Sequence, residues 1–161
     1  MAKGSGMRLE IVMRPVERRD FDSWKPLWDG YNAFYGRSGD TALAEEITQQ
    51  TWSRFFDGHE PVYALVAEEA GTGRLIGLVH YILHRSTISI GPVCYLQDLF
   101  TLEEVRGKGV GLSLIKAVYR RAERAGCSRV YWHTHATNAI ARSLYDKVAE
   151  DSGFIVYRRM L

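Results

Sequence analysis

The chain has 161 residues, of which 46% are hydrophobic, 12% aromatic and 25% charged; this fits one domain and is too apolar and too evenly charged for disorder. Twenty-one lysines and arginines against 19 acids leave a net charge of +2, without the dominant basic face of a nucleic-acid binder. The longest apolar stretch, Leu75 to Leu83, is broken by Gly77 and His80 and falls short of the ~20 residues that span a bilayer.

Residues 1–6 carry one lysine and no apolar run, so they are expected to be a leader or cloning remnant ahead of a domain over residues 7–161. Arg8 to Arg14 alternates as a strand. Phe21, Trp24, Leu27, Trp28, Tyr31 and Phe34 then recur at helical spacing, with a kink expected near Pro26. Gly36 to Gly39 breaks that helix, and Asp40 or Thr41 is expected to cap a second one reaching about Phe56. Val62 to Glu69 and Leu75 to His84 read as strands joined by the turn Ala70 to Arg74, whose glycines suit a hairpin. Val93 to Thr101 is a further strand, and a helix from Gly111 ends at Gly126. Val130 to His135 reads as a strand, a helix starts near Asn138, and Phe154 to Arg159 is expected to close the fold as a last strand. The order β-α-α-β-β-β-α-β-α-β predicts an α/β single domain, a mixed twisted sheet flanked by helices.

Cys94 and Cys127 have neither CxxC spacing nor a nearby histidine at ligand spacing, which predicts no metal site, no disulfide framework and a cytoplasmic location. Charge is unevenly spread. Val105 to Arg129 holds seven basic residues and one acidic, whereas Glu17 to Glu60 holds nine acidic and five basic. The first region suits phosphates, and the acids of the second, beside Trp24, Trp28, Tyr31, Phe34 and Tyr35, favour a cationic ligand. Solvated helix faces are the plainer account of both.

The segment Glu104 to Leu112 (EEVRGKGVGL from Glu103) places Gly107, Gly109 and Gly111 between a strand and a helix. Glycines there let the backbone turn tightly and approach a ligand, while the first amides of the helix stay unpaired and point at it. Spacing excludes GxGxxG and the P-loop, leaving a different phosphate-binding turn or a merely structural one.

Arg106-Gly107-Lys108-Gly109-Val110-Gly111 resembles the Arg/Gln-x-x-Gly-x-Gly/Ala signature of the GCN5-related N-acetyltransferases (GNAT). Tyr95 to Thr101 resembles their central strand, and Asn138 to Tyr145 followed by Gly153-Phe154 their C-terminal pattern. The stretch from Val130 to Arg158 is most similar to small fungal enzymes acting on histones, polyamines or amino acids, with diamine acetyltransferases nearby. The resemblance implies a GNAT fold and acetyl-CoA-dependent transfer to a primary amine of a small molecule or basic peptide, through a tetrahedral intermediate that expels coenzyme A thiolate. A noncatalytic acyl-CoA-binding regulatory module is the alternative. A homodimer pairing through the segment after Phe154 is also open, and neither nucleic acid nor membrane is expected as a partner.

The same resemblance assigns the pyrophosphate to the backbone of Arg106, Gly107, Lys108, Gly109, Val110, Gly111 and Leu112. It assigns the pantetheine arm and thioester carbonyl to the backbone of Leu99, Phe100 and Thr101. Asn138 either bonds the pantetheine or simply caps its helix. Tyr145 matches the residue that protonates the leaving thiolate, and it also lies on an apolar helix stripe. Gln97 stands where some polyamine acetyltransferases have a glutamate base and cannot take a proton; Asp98, Glu103, His133, His135 and a water relay remain candidates.

Overall fold

The central hairpin follows from its sequence to the residue. Strands β2 (Val62–Glu69) and β3 (Leu75–His84) pair antiparallel, and the turn between them uses Gly71 and Gly73 at φ +81° and +72°, angles that L side chains rarely adopt. In this computed structural model residues 9–161 are described; the expected leader and Arg8 lie outside them. Strand β1 (Ile11–Pro15) pairs with β2, and β4 (Val93–Thr101) pairs antiparallel with β3. Strand β5 (Val130–Tyr131) adds parallel to β4, giving a five-stranded mixed sheet in the order β1-β2-β3-β4-β5.

Helices cover both faces, as a sheet with two apolar faces requires. Helix α1 (Phe21–Phe34) lies over one, with Trp24, Leu27 and Trp28 packed on Ala64, Val66 and Leu78. Helix α3 (Val110–Arg124) covers the other, with Leu114, Ile115 and Val118 packed on Leu65, Ile76 and Leu96. Helix α2 (Glu45–Arg54) extends the α1 layer, and α4 (Ala139–Tyr145) follows β5.

Three expectations need correction. The second helix starts at Glu45 rather than Asp40 or Thr41, because Gly39–Thr41 forms a separate 3-10 turn in which the Thr41 hydroxyl donates to Gly36 C=O at 2.6 Å. Strand β5 stops at Tyr131 instead of reaching His135. The final strand is absent among the described residues: from Asp151 the chain runs to Leu161 without regular structure, Phe154 and Tyr157 being 91% and 89% exposed. Alternating β-prone residues make a strand only when their backbone groups pair with a neighbouring strand, and this segment pairs with none of the five.

The entry of α1 is fixed by a charge cluster. Arg14 on β1 makes two bonds to Asp20, at 2.7 and 3.0 Å, and one to Glu68 on β2 at 2.6 Å. Asp20 also accepts from the Glu17 amide at 2.7 Å. Burial raises the Asp20 carboxyl, but the Arg14 bond, the Glu17 amide and the charges of Arg14 and Arg19 outweigh it and hold the group below its ordinary value. A depressed carboxyl contributes stability that is complete above the unfolded value of ~3.9 and is lost as pH falls through the folded one. Arg14→Gln is expected to cost about 2 kcal/mol at pH 7 in urea denaturation. It should also flatten the rise of stability with pH in that acid window; an unchanged midpoint and pH profile would remove the cluster from the account.

Candidate active site

Strand β4 organises the site through one irregularity. His80 pairs with Asp98 but Tyr81 pairs with Leu96, so Gln97 is an extra residue without a partner. Cys94 and Leu96 face the α3 core, and by simple alternation Asp98 would join them. Leu99, however, packs on the α3 core and Phe100 on the α1 core, so the bulge at Gln97 has exchanged the faces and turned Asp98 toward α1. Strand β5 pairs with β4 only at Cys94 and Tyr95, just before the bulge. From Leu96 to Thr101 that edge of β4 has no strand partner, and its backbone groups are available to a ligand.

Asp98 and His80 are buried, at 7% and 2% exposure. Trp24 Nε1 donates to His80 Nε2 at 3.0 Å, and because an indole N–H can only donate, the His80 proton sits on Nδ1. From there it is donated to Asp98 Oδ2 at 2.9 Å. Beyond His80, the side chain placed to donate to this carboxylate is the Tyr31 phenol. Asp98, His80 and Tyr31 line a cleft of about 970 Å³ walled by α1, α2 and the segment after β5. The Tyr31 phenol is held in its protonated form by burial and by the adjacent Asp98 carboxylate.

The glycine-rich turn hangs between two buried anchors, Val105 and Val110. Gly107 and Gly109 have φ of +77° and +83°, and a Cβ on either would meet nothing within 4 Å. Gly109 caps α3, and the first helical bond runs from the Ser113 amide to Gly109 C=O at 3.0 Å. The amides of Val110, Gly111 and Leu112 therefore carry no intrahelical acceptor. Arg106 and Lys108 are exposed beside them. The result is an open cradle of main-chain donors with two cations at its rim, which fits a pyrophosphate.

A Cβ on Gly111 would lie 3.5 Å from Leu144, so α4 packs against this turn. Asn138 caps α4 by accepting from the Ala141 amide at 3.3 Å, which engages its oxygen and leaves its amide nitrogen free. Tyr145 stacks edge-on against Trp132, with centroids 5.2 Å apart. Its hydroxyl makes no hydrogen bond to the described residues, and burial, then the neighbouring Tyr35, keep it protonated. Tyr35 itself lines the cleft, and Leu144, the residue before Tyr145, lies against Gly111 of the glycine turn. Leu99 and Thr101 lie on the open part of β4, where the Phe100 ring packs against Gly30 of α1.

Among the other residues considered as bases, His133 and His135 line the cleft and are exposed, whereas Glu103 lies in the turn after β4, outside the lining. Sequence reasoning missed His80, whose only trace was a histidine inside an apolar strand, and Arg37. Among the described residues no group of three His, Cys, Asp or Glu is placed to hold a metal, and no helix is long and apolar enough to cross a membrane.

Residues 24–149 match the model of the acetyltransferase (GNAT) family. The chain is 36% identical over 149 residues to the D-amino-acid N-acetyltransferase HPA3 of Saccharomyces cerevisiae, covering 92% of this chain and 90% of that protein. It is 31% identical over 147 residues to the uncharacterized N-acetyltransferase YhfO of Bacillus subtilis, covering 90% and 94%. The solved structure of an aminoglycoside N-acetyltransferase in complex with CoA shares the fold at a TM-score of 0.76 and 19% identity, covering 96% and 97%. With an open main-chain cradle at the start of α3, an unpaired β4 edge leading from it to a buried carboxylate, and these relatives, the chain belongs to the GNAT family as an acetyl-CoA-dependent N-acetyltransferase.

Proposed function

We propose that the chain transfers the acetyl group directly to the primary amine of a small molecule held in the cleft against Asp98. The observation that carries this reading is the buried carboxylate, tethered to His80 and lining the cleft near the point where β4 loses its partner. Relatives named for D-amino acids and for aminoglycosides support a small amine.

In this reading the amides from Gly107 to Leu112 hold the pyrophosphate, with Arg106 and Lys108 beside it. The β4 edge at Leu99, Phe100 and Thr101 pairs with the pantetheine arm and polarises the thioester carbonyl, and the free amide nitrogen of Asn138 bonds the same arm. Asp98 draws the ammonium in and fixes its nitrogen. An amine of pKa ~10 is neutral about one time in a thousand at pH 7, so attack follows loss of a proton to water at the cleft mouth. The Tyr145 phenol, protonated and free of other partners, gives its proton to the departing thiolate and is restored by the proton that the attacking nitrogen releases as the amide forms.

Two free cysteines, one of them buried, support a reducing, cytoplasmic setting. Phe154, Ile155, Val156, Tyr157, Met160 and Leu161 are all exposed, which supports pairing of this segment with a second copy of the chain.

Asp98→Asn tests the acceptor site, because the amide oxygen can still accept from His80 while the charge is gone. The KM for the acceptor is expected to rise at least tenfold with acetyl-CoA affinity unchanged in calorimetry; an unaltered KM would place the amine elsewhere. For the donor site, Gly109→Val and Gly71→Val impose similar strain at φ +83° and +81°. Both should lose similar stability, and only the first should weaken acetyl-CoA binding tenfold or more. Tyr145→Phe is expected to lower kcat by roughly tenfold to a thousandfold, with stability and acetyl-CoA affinity nearly unchanged. Turnover within twofold of wild type, with chemistry rate-limiting, would take Tyr145 out of the mechanism.

A further inference from the structure

The charges around the cleft differ from what the acidic excess of Glu17 to Glu60 suggests. Among the described residues that region contributes Arg37 and Arg54 to the lining, and no carboxylate. Its acids lie elsewhere, several in pairs: Asp20 with Arg14, Asp29 with Lys25 and Asp57 with His59. Among the described residues Asp98 is the one carboxylate lining the cleft, whose wall also carries Arg37, Arg54 and Arg158. Arg54 is partly offset by Glu60 at 3.7 Å. A polyamine or basic peptide would thus bring further positive charge against arginines once its first ammonium was seated.

Arg37 is built in rather than left on the surface. Its amide donates to Asn32 C=O at 2.9 Å and its Nε to Asn32 Oδ1 at 2.7 Å. Asn32 is buried and anchored in turn by its own Nδ2, which donates to Trp28 C=O at 2.8 Å. The guanidinium lies 5.9 Å from the Tyr31 ring centroid and 5.5 Å from that of Tyr35. Among the described residues it has no acidic partner. Both terminal nitrogens remain free of the Asn32 bond, a fork that matches a carboxylate. Tyr31 links the two charges, its phenol beside Asp98 and its ring under Arg37.

We propose that the cleft selects acceptors bearing a carboxylate next to the amine, zwitterionic amino acids, with Asp98 receiving the ammonium and Arg37 the carboxylate. This rests on the cleft being the acceptor site. A cation over the Tyr31 ring and an anion beside its hydroxyl complement a molecule that carries both opposite charges. They oppose both a polycation and a plain amine that leaves Arg37 without a counter-ion.

The test compares phenylalanine, each enantiomer separately, with phenylalaninamide and phenethylamine in a thiol-release assay at saturating acetyl-CoA. For the better enantiomer, kcat/KM is expected to exceed that for phenethylamine at least tenfold, with most of the difference in KM. That ratio should fall at least tenfold in Arg37→Gln and recover in part in Arg37→Lys. Phenethylamine used as well as or better than both enantiomers would overturn the proposal and leave the acceptor site standing. So would an unchanged ratio in a folded Arg37→Gln. The wild-type comparison decides the matter even if the variant does not fold. No turnover of any of the three compounds, with acetyl-CoA bound normally, would overturn the acceptor-site reading and this proposal together.

Discussion

The extra residue in β4 is the constraint on which the site depends. Were Gln97 paired in the ladder like its neighbours, Asp98 would continue the alternation of Cys94 and Leu96 and be buried beneath α3, away from the cleft. Because Gln97 is left out of the pairing, Asp98 lies on the α1 face opposite His80. The same irregularity lies where β5 leaves β4. A bulge bends its strand and sharpens the local twist, so one inserted residue both aims the carboxylate and frees the main-chain edge that leads to the glycine turn.

Keeping a carboxylate and an imidazole in an apolar layer has a cost that the neighbouring side chains must offset. His80 is surrounded by Trp24, Trp28 and Phe55, with ring centroids 4.8 to 5.8 Å away. Water cannot solvate it there, and an unpaired ring nitrogen would be costly. The Trp24 indole removes that cost and, by occupying Nε2, fixes which nitrogen faces Asp98. The aromatic stripe of α1 is therefore core and also sets the orientation of the polar group beneath it.

What could be read from the sequence was what is local. The hairpin and β4 were delimited by their own residues, because apolar β-prone runs bounded by glycine turns leave little choice. The position of the glycine turn was equally plain, its three glycines being contiguous with a strong helix. The start of α2 was not, since Thr41 spends its hydroxyl closing a 3-10 turn. Nor was the fate of Phe154 to Arg159, whose composition suits a strand but which pairs with no strand of the sheet. The His80–Asp98 contact joins residues 18 apart through a register that shifts by one, and alternation alone points Asp98 to the wrong face. Arg37 stood among acids in the sequence, yet among the described residues the fold brings none of those acids to the cleft and places Arg37 in its wall.

Trp28 occupies a special position in this arrangement. One face stacks on Trp24, with centroids 5.7 Å apart and planes 13° apart, and the other on Tyr31, at 5.6 Å and 9°. Trp28 and Tyr31 also line the cleft. Rings this close and this nearly parallel share their electronic excitation, so the near-ultraviolet optical activity of the protein carries the geometry of the stack. A molecule entering the cleft displaces water from two members of that stack and changes the polarisable surroundings of the indole. The protein thus contains its own label-free spectroscopic gauge of cleft occupancy, and Trp132 against Tyr145 supplies a second chromophore pair.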